Sequence, residues 1–140
     1  AKVKFADKPL PNIEIFRALI HPVGEEVEKQ ITNQNGIIEI IARSFTEPAE
    51  FLAKIQKRFF GELSQVFMTE LKNSNPDANE EDLHWNYHLA VSSMLGTLAQ
   101  HRRMIDFSVG KYNENAVSVM IDRLIIFVSN GFEAGIQIKQ

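Results

Sequence analysis

The sequence has no cysteine, and it has one tryptophan and two tyrosines among its 140 residues. The lack of cysteine excludes a disulfide framework, a thiolate nucleophile and a cysteine-based zinc site. Long hydrophobic runs are missing as well, since the longest, Leu124 to Val128, is far shorter than the ~18 apolar residues of a membrane span. No signal peptide is recognisable. We therefore expect a cytoplasmic protein with no membrane partner.

Positive charge is also scarce. The chain has 15 Lys and Arg against 18 Asp and Glu, a net charge of -3. Binding to the phosphates of a nucleic acid needs clustered Lys and Arg, and the one basic cluster, Lys54, Lys57 and Arg58, has the spacing of a solvated helix face. This chain by itself is not expected to bind nucleic acid.

What the sequence does have is the composition of an ordinary globular domain, with 44% hydrophobic residues. The length suffices for one core without metal or disulfide, so residues 1–140 are interpreted as a single domain. Apolar residues recur at helical spacing and no strand pattern competes with them. The prediction is an all-α, antiparallel bundle of five to six helices.

Prolines and capping residues indicate where the expected helices begin and end. The first starts near Ile13 and must kink or restart at Pro22. A short one spans Ile37 to Phe45, and an amphipathic one runs from Pro48 to about Ser74, with its apolar arc at Leu52, Ile55, Phe59, Leu63, Val66 and Phe67. Asn79 is a candidate N-cap for the next helix, and the last helix covers residues 116–136.

The stretch "EDLHWNYHLAVSSMLGTLAQHR", residues 81–102, is apolar on two sides of one helix. One arc contains Leu83, Tyr87, Val91, Met94, Leu95 and Leu98. The opposite arc contains Trp85, Leu89, Ser92, Gly96 and Ala99, whose small members would let another helix approach closely. This helix is expected to pack on both sides.

The last helix is apolar over roughly half of its circumference at ~100° per residue, wider than the usual surface-helix stripe. Two such helices in a small chain are covered if they pair with their copies in a C2 dimer, giving a four-helix interface made by the last two helices. The candidate interface residues are Trp85, Leu89, Gly96, Ile121, Leu124, Ile125, Val128 and Phe132. The alternative is that both are central helices of a monomer.

Four segments between about Leu10 and Ile136 carry a resemblance to a known family. They are "IFRALIHPVGEEV" with its mid-helix proline, "IIEIIARSFTEPAEFL", "DLHWNYHLAVSSMLGTLA" with Trp85, His88 and Gly96, and "RLIIFVSNGFEAGI" with Phe127 and Gly131. Their order and spacing resemble the regulatory C-terminal domain of the tetracycline-repressor (TetR/AcrR) family of transcriptional regulators. Ser44 departs from the Glu that the family often has there.

The resemblance implies a protein of two parts. A helix-turn-helix head, which would precede Ala1, binds operator DNA as a dimer, and the helical body holds the dimer together and binds a small hydrophobic or amphipathic effector. Because the head is absent from this chain, operator DNA is expected as a partner only through that missing domain.

An effector needs an apolar cavity with a few converging polar groups. Gln56 falls inside an apolar arc, and Tyr87, His88 and Ser92 could supply the other polar groups. The candidate ligand-binding residues are Gln56, Phe59, Phe60, Tyr87, His88, Val91 and Ser92. Three alternatives stay open: Gln56 in a wet first turn, Tyr87 as a core aromatic, and His88 as a structural core or interface histidine.

Metal and catalytic chemistry find little support. His84 and His88 are spaced i, i+4 and could face one metal ion, but two ligands are too few for a site. No nucleophile elbow, His-Glu-x-x-His motif or phosphate-binding glycine loop is present, so no cofactor, metal or enzymatic activity is expected. The remaining alternatives are a helical protein-interaction module without a small-molecule site and a metal-dependent helical-bundle enzyme.

Overall fold

The structure is a computed structural model that describes residues 8–33, 57–99, 108 and 117–137. These residues form α1 (Asn12–Asn33), a π-helical segment (Lys57–Glu62), α2 (Leu63–Ser74), α3 (Glu80–Ala99) and α4 (Val117–Gly135), with no strand among them. The all-α prediction is confirmed. The predicted helix at 37–45 and the predicted helix start at Pro48 lie outside the described residues, so the count of five to six helices stays a prediction.

Helix α1 begins directly after Pro11, whose carbonyl accepts hydrogen bonds from the amides of Glu14 and Ile15 at 3.0 and 3.3 Å. It then continues through Pro22 as one helix, so the restart that we considered at this proline does not occur. Pro22 is exposed, where water can satisfy the carbonyl that loses its amide partner.

Helix α3 begins as the sequence predicts. The side-chain oxygen of Asn79 accepts hydrogen bonds from the amides of Glu81 and Asp82 at 2.8 and 3.4 Å, which confirms Asn79 as the N-cap. Three acidic residues occupy the first turn of α3, where the helix dipole favours negative charge.

The four helices form a bundle in which α4 packs against α1 and α3, and α2 packs against the same two helices. Helix α1 runs antiparallel to α4, as two contacts between them show. The rings of Phe16 and Phe132 meet at 5.1 Å between centroids, whereas a Cβ at Gly24, two turns further along α1, would overlap the side chain of Ile121. The closeness of α1 to α4 therefore depends on the missing side chain of Gly24.

The core contains the inner arc of α3 that the sequence predicts. All six of its members are buried: Leu83, Tyr87, Val91, Met94, Leu95 and Leu98. The same cluster also contains Phe67 and Leu71 of α2, four residues of α1, six residues of α4, Phe59 and Ala90. The hydrophobic effect from this one cluster is the main force that assembles the described helices.

Five residues of α4 that we expected at the dimer interface are covered inside one chain. Ile121, Leu124, Ile125, Val128 and Phe132 are each at most 5% exposed. The physical reason is that α1 and α3 both lie against α4 and together cover its wide apolar arc. In a single chain these positions expose almost no surface, and their place at a dimer interface stays a prediction.

Candidate functional site

An exposed apolar surface lies on the paired helices α3 and α4. The exposed large hydrophobic side chains of the described residues are Trp85 at 59%, Leu89 at 54%, Ile126 at 54% and Phe127 at 70%. Gly96 and Gly131 continue the same stripes at helical spacing, and a Cβ at either would meet no atom within 4 Å. These six residues are called the α3–α4 face below. Single exposed hydrophobic residues are common, but a group on two packed helices indicates an interaction surface.

A chain of aromatic contacts leads from the π-helical segment to this face. The ring of Phe60 lies 6.1 Å from that of Tyr87 and 5.4 Å from that of His88, between centroids. His88 in turn contacts Trp85 at 6.2 Å in a T-shaped arrangement. Edge and tilted arrangements at these distances are favourable for aromatic rings. Four of the sequence-predicted residues, including Trp85, are thus in one continuous cluster.

Tyr87 is the buried member of this cluster. Its hydroxyl donates a 2.6 Å hydrogen bond to the main-chain carbonyl of Phe59, and burial raises the pKa of Tyr87 above its ordinary value of 10.0. The structure therefore favours the interpretation of Tyr87 as a core aromatic with an engaged hydroxyl. A ligand that used this hydroxyl would have to compete with the Phe59 carbonyl.

The other predicted ligand residues differ in their surroundings. Phe59 and Val91 are buried, Phe60 is half-buried, and His88 and Ser92 are exposed. Gln56 lies outside the described residues, directly before the π-helical segment. The structure therefore brings Phe59, Phe60, Tyr87 and His88 together where that segment meets α3.

A polar cluster that the sequence reasoning missed joins three helix ends. The side-chain amides of Asn12 and Asn75 exchange two hydrogen bonds, of 2.7 and 3.1 Å, and Asn12 is only 8% exposed. The Asn12 amide also lies 3.5 Å from a carboxylate oxygen of Glu133 on α4. Both asparagines adjoin a proline at a helix end, which is a signal for a turn but not for a contact between two distant turns.

A groove of about 510 Å³ between α2 and α3 is separate from the aromatic cluster. Its lining residues are Gln65, Met68, Thr69, Lys72, Asn73, Glu80, Leu83 and His84. The Lys72 ammonium donates to the carbonyls of Pro76 and Ala78, and Nδ1 of His84 is hydrogen-bonded to the Glu80 carbonyl. The Lys72 bonds fasten the loop between α2 and α3, whereas the His84 bond lies within α3.

His84 and His88 of α3 are the residues at which the sequence allows a metal ligand pair. In the part of the chain that the structure describes, no three His, Cys, Asp or Glu side chains gather as metal ligands would. His84 and His88 are both exposed. One ring nitrogen of His84 is already held by a carbonyl of its own helix.

Comparison with known proteins supplies the deciding observation. The sequence profile of the tetracyclin repressor-like C-terminal domain matches residues 17–131. The chain belongs to this family. The match includes the π-helical segment, α2, α3 and most of α4, and the family consists of regulatory domains of transcriptional regulators. No curated protein and no solved structure gives a match.

Among the described helices, none is long and apolar enough to cross a membrane.

Proposed function

We propose that this TetR-like domain binds a small hydrophobic or amphipathic effector where the π-helical segment meets α3, and that it dimerises through the α3–α4 face. A helix-turn-helix head encoded upstream of Ala1 would bind operator DNA in the cytoplasm. An effector that prefers one arrangement of the helices shifts the population of DNA-binding dimers. The domain needs no cofactor or metal for this role, and it is not an enzyme.

The observation that carries this proposal is the position of His88. Its ring contacts Phe60 on one side and Trp85 on the other, at 5.4 and 6.2 Å between centroids. Phe60 belongs to the proposed effector site and Trp85 to the proposed dimer surface. A ligand that displaces Phe60 therefore changes the packing of a residue that borders the second subunit.

The residue types at the proposed effector site suit a hydrophobic or amphipathic ligand. The rings of Phe59 and Phe60 provide apolar contact, and Tyr87 and His88 provide a hydroxyl and an imidazole within the same cluster. Ligand sites are commonly apolar with a few such polar groups. Gln56, Val91 and Ser92 flank the cluster in sequence and remain candidates.

Exposed apolar side chains and open space on the α3–α4 face favour a dimer. Trp85, Leu89, Ile126 and Phe127 lie on two helices of one subunit, so a two-fold axis would bring four helices together. Gly96 and Gly131 have open space above them, which lets the helices of a second copy approach closely. The five buried residues of α4 that we first assigned to the interface support this surface from behind.

The effector proposal is tested by thermal shift against a broad panel of hydrophobic and amphipathic small molecules. A ligand at 100 times its dissociation constant stabilises the fold by about 2.7 kcal/mol. We expect at least one chemical class to raise the melting temperature, and we expect Phe60→Ala to remove the shift. Thr69→Ala, in the separate groove, is the control and should keep it. If no compound stabilises the wild-type chain, the effector site is wrong.

The second candidate is a helical protein-interaction module, which the four exposed hydrophobic residues also favour. In that case the α3–α4 face would bind a different protein. Light scattering separates the two functions, because the regulator is a dimer by itself and the module is a monomer. A monomer that also fails to respond in the thermal-shift panel would favour the module.

A further inference from the structure

The π-helical segment and α2 form one uninterrupted helical rod, residues 57–74. Glu62, at their junction, has helical backbone angles of φ -62° and ψ -49°. At 1.5 Å per residue the 12 residues of α2 alone are about 18 Å long. Each end of the described residues 57–74 is hydrogen-bonded to a different helix, and these two attachments are made by different side chains.

At the first end, side-chain hydroxyls engage the carbonyls of the π-helical segment. The Tyr87 hydroxyl, from α3, donates to the carbonyl of Phe59 at 2.6 Å, and the Ser64 hydroxyl donates to the carbonyl of Gly61 at 3.0 Å. A π-helix pairs each carbonyl five residues ahead instead of four, is rare, and occurs often at functional sites. These two side-chain hydrogen bonds add to the main-chain pairing of the π-helical segment.

Conversion of the π-helical segment to an α-helix has a defined geometric consequence. A π-helix has a wider turn and a smaller rise per residue than an α-helix, so conversion of the same six residues rotates the following helix and displaces it along its axis. The buried residues Phe67 and Leu71 of α2 resist a full rotation, so the movement would be shared between the two ends of the rod.

At the second end, α2 is tied to the start of α1. Asn75, which ends α2, exchanges two hydrogen bonds with Asn12 and also donates to the carbonyl of Leu71 at 2.8 Å. The Ser74 hydroxyl donates to the carbonyl of Leu10 at 2.6 Å. The end of the rod is therefore fastened to the place where the chain enters the bundle.

We propose that the rod of residues 57–74 is a transmission element with two states, and that the Asn12–Asn75 pair and the Ser74–Leu10 bond form its output. In one state Tyr87 holds the π-helical segment. In the other the Tyr87 hydroxyl is released, the segment becomes α-helical, and the end of α2 is displaced relative to the first turn of α1. The use of this movement in regulation rests on the proposed function, since an effector would be what releases Tyr87.

The experiment measures amide hydrogen exchange of the chain without any ligand or DNA. Tyr87→Phe removes one oxygen and keeps the ring. It is compared with wild type in the normal background and in the decoupled background Asn12→Ala/Ser74→Ala, which leaves the Asn75–Leu71 bond in place. Ser64→Ala is a second, independent perturbation of the same segment. Thr69→Ala is the control, because the Thr69 hydroxyl donates to the carbonyl of Gln65 within α2 itself.

In the normal background we expect Tyr87→Phe to raise exchange in residues 57–66 and also in the first turn of α1, each about fivefold, the factor that corresponds to one net hydrogen bond. In the decoupled background the effect on α1 should disappear and the effect on residues 57–66 should remain. Ser64→Ala should repeat this pattern more weakly, and Thr69→Ala should leave α1 unchanged.

Three results would overturn the proposal. One is faster exchange at residues 57–66 with no change at α1. Another is an effect on α1 of the same size in both backgrounds, which would mean that the two links do not carry it. The third is no change at residues 57–66 in either Tyr87→Phe or Ser64→Ala. Since no effector or operator takes part, these results are independent of the ligand panel and of the dimer measurement.

Discussion

The exposed indole of Trp85 lies against the imidazole of His88, with 6.2 Å between ring centroids and nearly perpendicular planes. Trp85 is 59% exposed, although tryptophan carries the largest apolar surface of any side chain and is usually well covered. The same α3 helix holds Tyr87 in the core. One helix thus connects the buried interior, the aromatic cluster and the exposed α3–α4 face.

The first prediction concerns the mass of the protein in solution. Trp85→Glu and Phe127→Glu each put a charge into the α3–α4 face, where burial against a second copy would leave it unpaired. We expect wild type to be a dimer at tens of micromolar and both variants to be monomers, measured by light scattering. The control is Gln65→Glu, at an exposed position on α2, which should remain a dimer. A wild-type monomer would contradict the dimer directly.

The second prediction uses two phenylalanines on one helix. Phe132 is 2% exposed and Phe127 is 70% exposed. Phe132→Ala should lower the free energy of unfolding by about 3 to 5 kcal/mol at any protein concentration. Phe127→Ala should matter only where the dimer is populated, so its cost should shrink on dilution. Urea unfolding at two concentrations checks both. Equal costs at both concentrations for Phe127→Ala would contradict its place at an interface.

The third prediction compares a buried glycine, Gly24, with an exposed one, Gly131. A side chain at Gly24 would overlap Ile121, whereas one at Gly131 meets open space. Gly24→Leu should destabilise the fold by about 1 to 3 kcal/mol, because the core is overpacked. Gly131→Leu should leave the monomer as stable or slightly more stable, since leucine favours helix over glycine by up to about 1 kcal/mol, yet should weaken the dimer. Thermal unfolding and light scattering of the pair test this, and a dimer of Gly131→Leu with unchanged affinity would exclude Gly131 from the interface.

The sequence predicted local features of this fold better than its assembly. The inner arc of α3 and the N-cap at Asn79 followed from periodicity and capping chemistry, which depend on neighbouring residues only. The burial of Ile121 and Leu124 inside one chain did not follow, because it depends on how closely α1 approaches α4, which Gly24 permits. The width of an apolar arc alone does not reveal whether one subunit or two cover it.

The candidate site shows the same division. Tyr87 and His88 were selected as neighbours on one helix, but their different environments, buried and exposed, depend on where the π-helical segment packs. That segment replaces part of a helix that the pattern around Phe59 and Leu63 predicts as regular. The Asn12–Asn75 pair joins residues 63 positions apart, and nothing in either local sequence indicates the other.

The last prediction is the dependence of stability on alkaline pH. Burial raises the pKa of Tyr87 above its ordinary value of 10.0 in the folded chain, so above pH 10 the unfolded chain loses a proton that the folded chain keeps. The contribution is fully present below pH 10 and is lost as the pH rises. The free energy of unfolding should therefore fall by about 1.4 kcal/mol in total between pH 9 and 11 because of this residue. Urea unfolding over this range should show the fall in wild type and in Ser64→Ala, which keeps the titrating group, but a fall smaller by that amount in Tyr87→Phe. An unchanged fall in Tyr87→Phe would mean that the Tyr87 hydroxyl is as accessible in the folded chain as in the unfolded one, and the hydrogen bond to Phe59 could then not hold the π-helical segment.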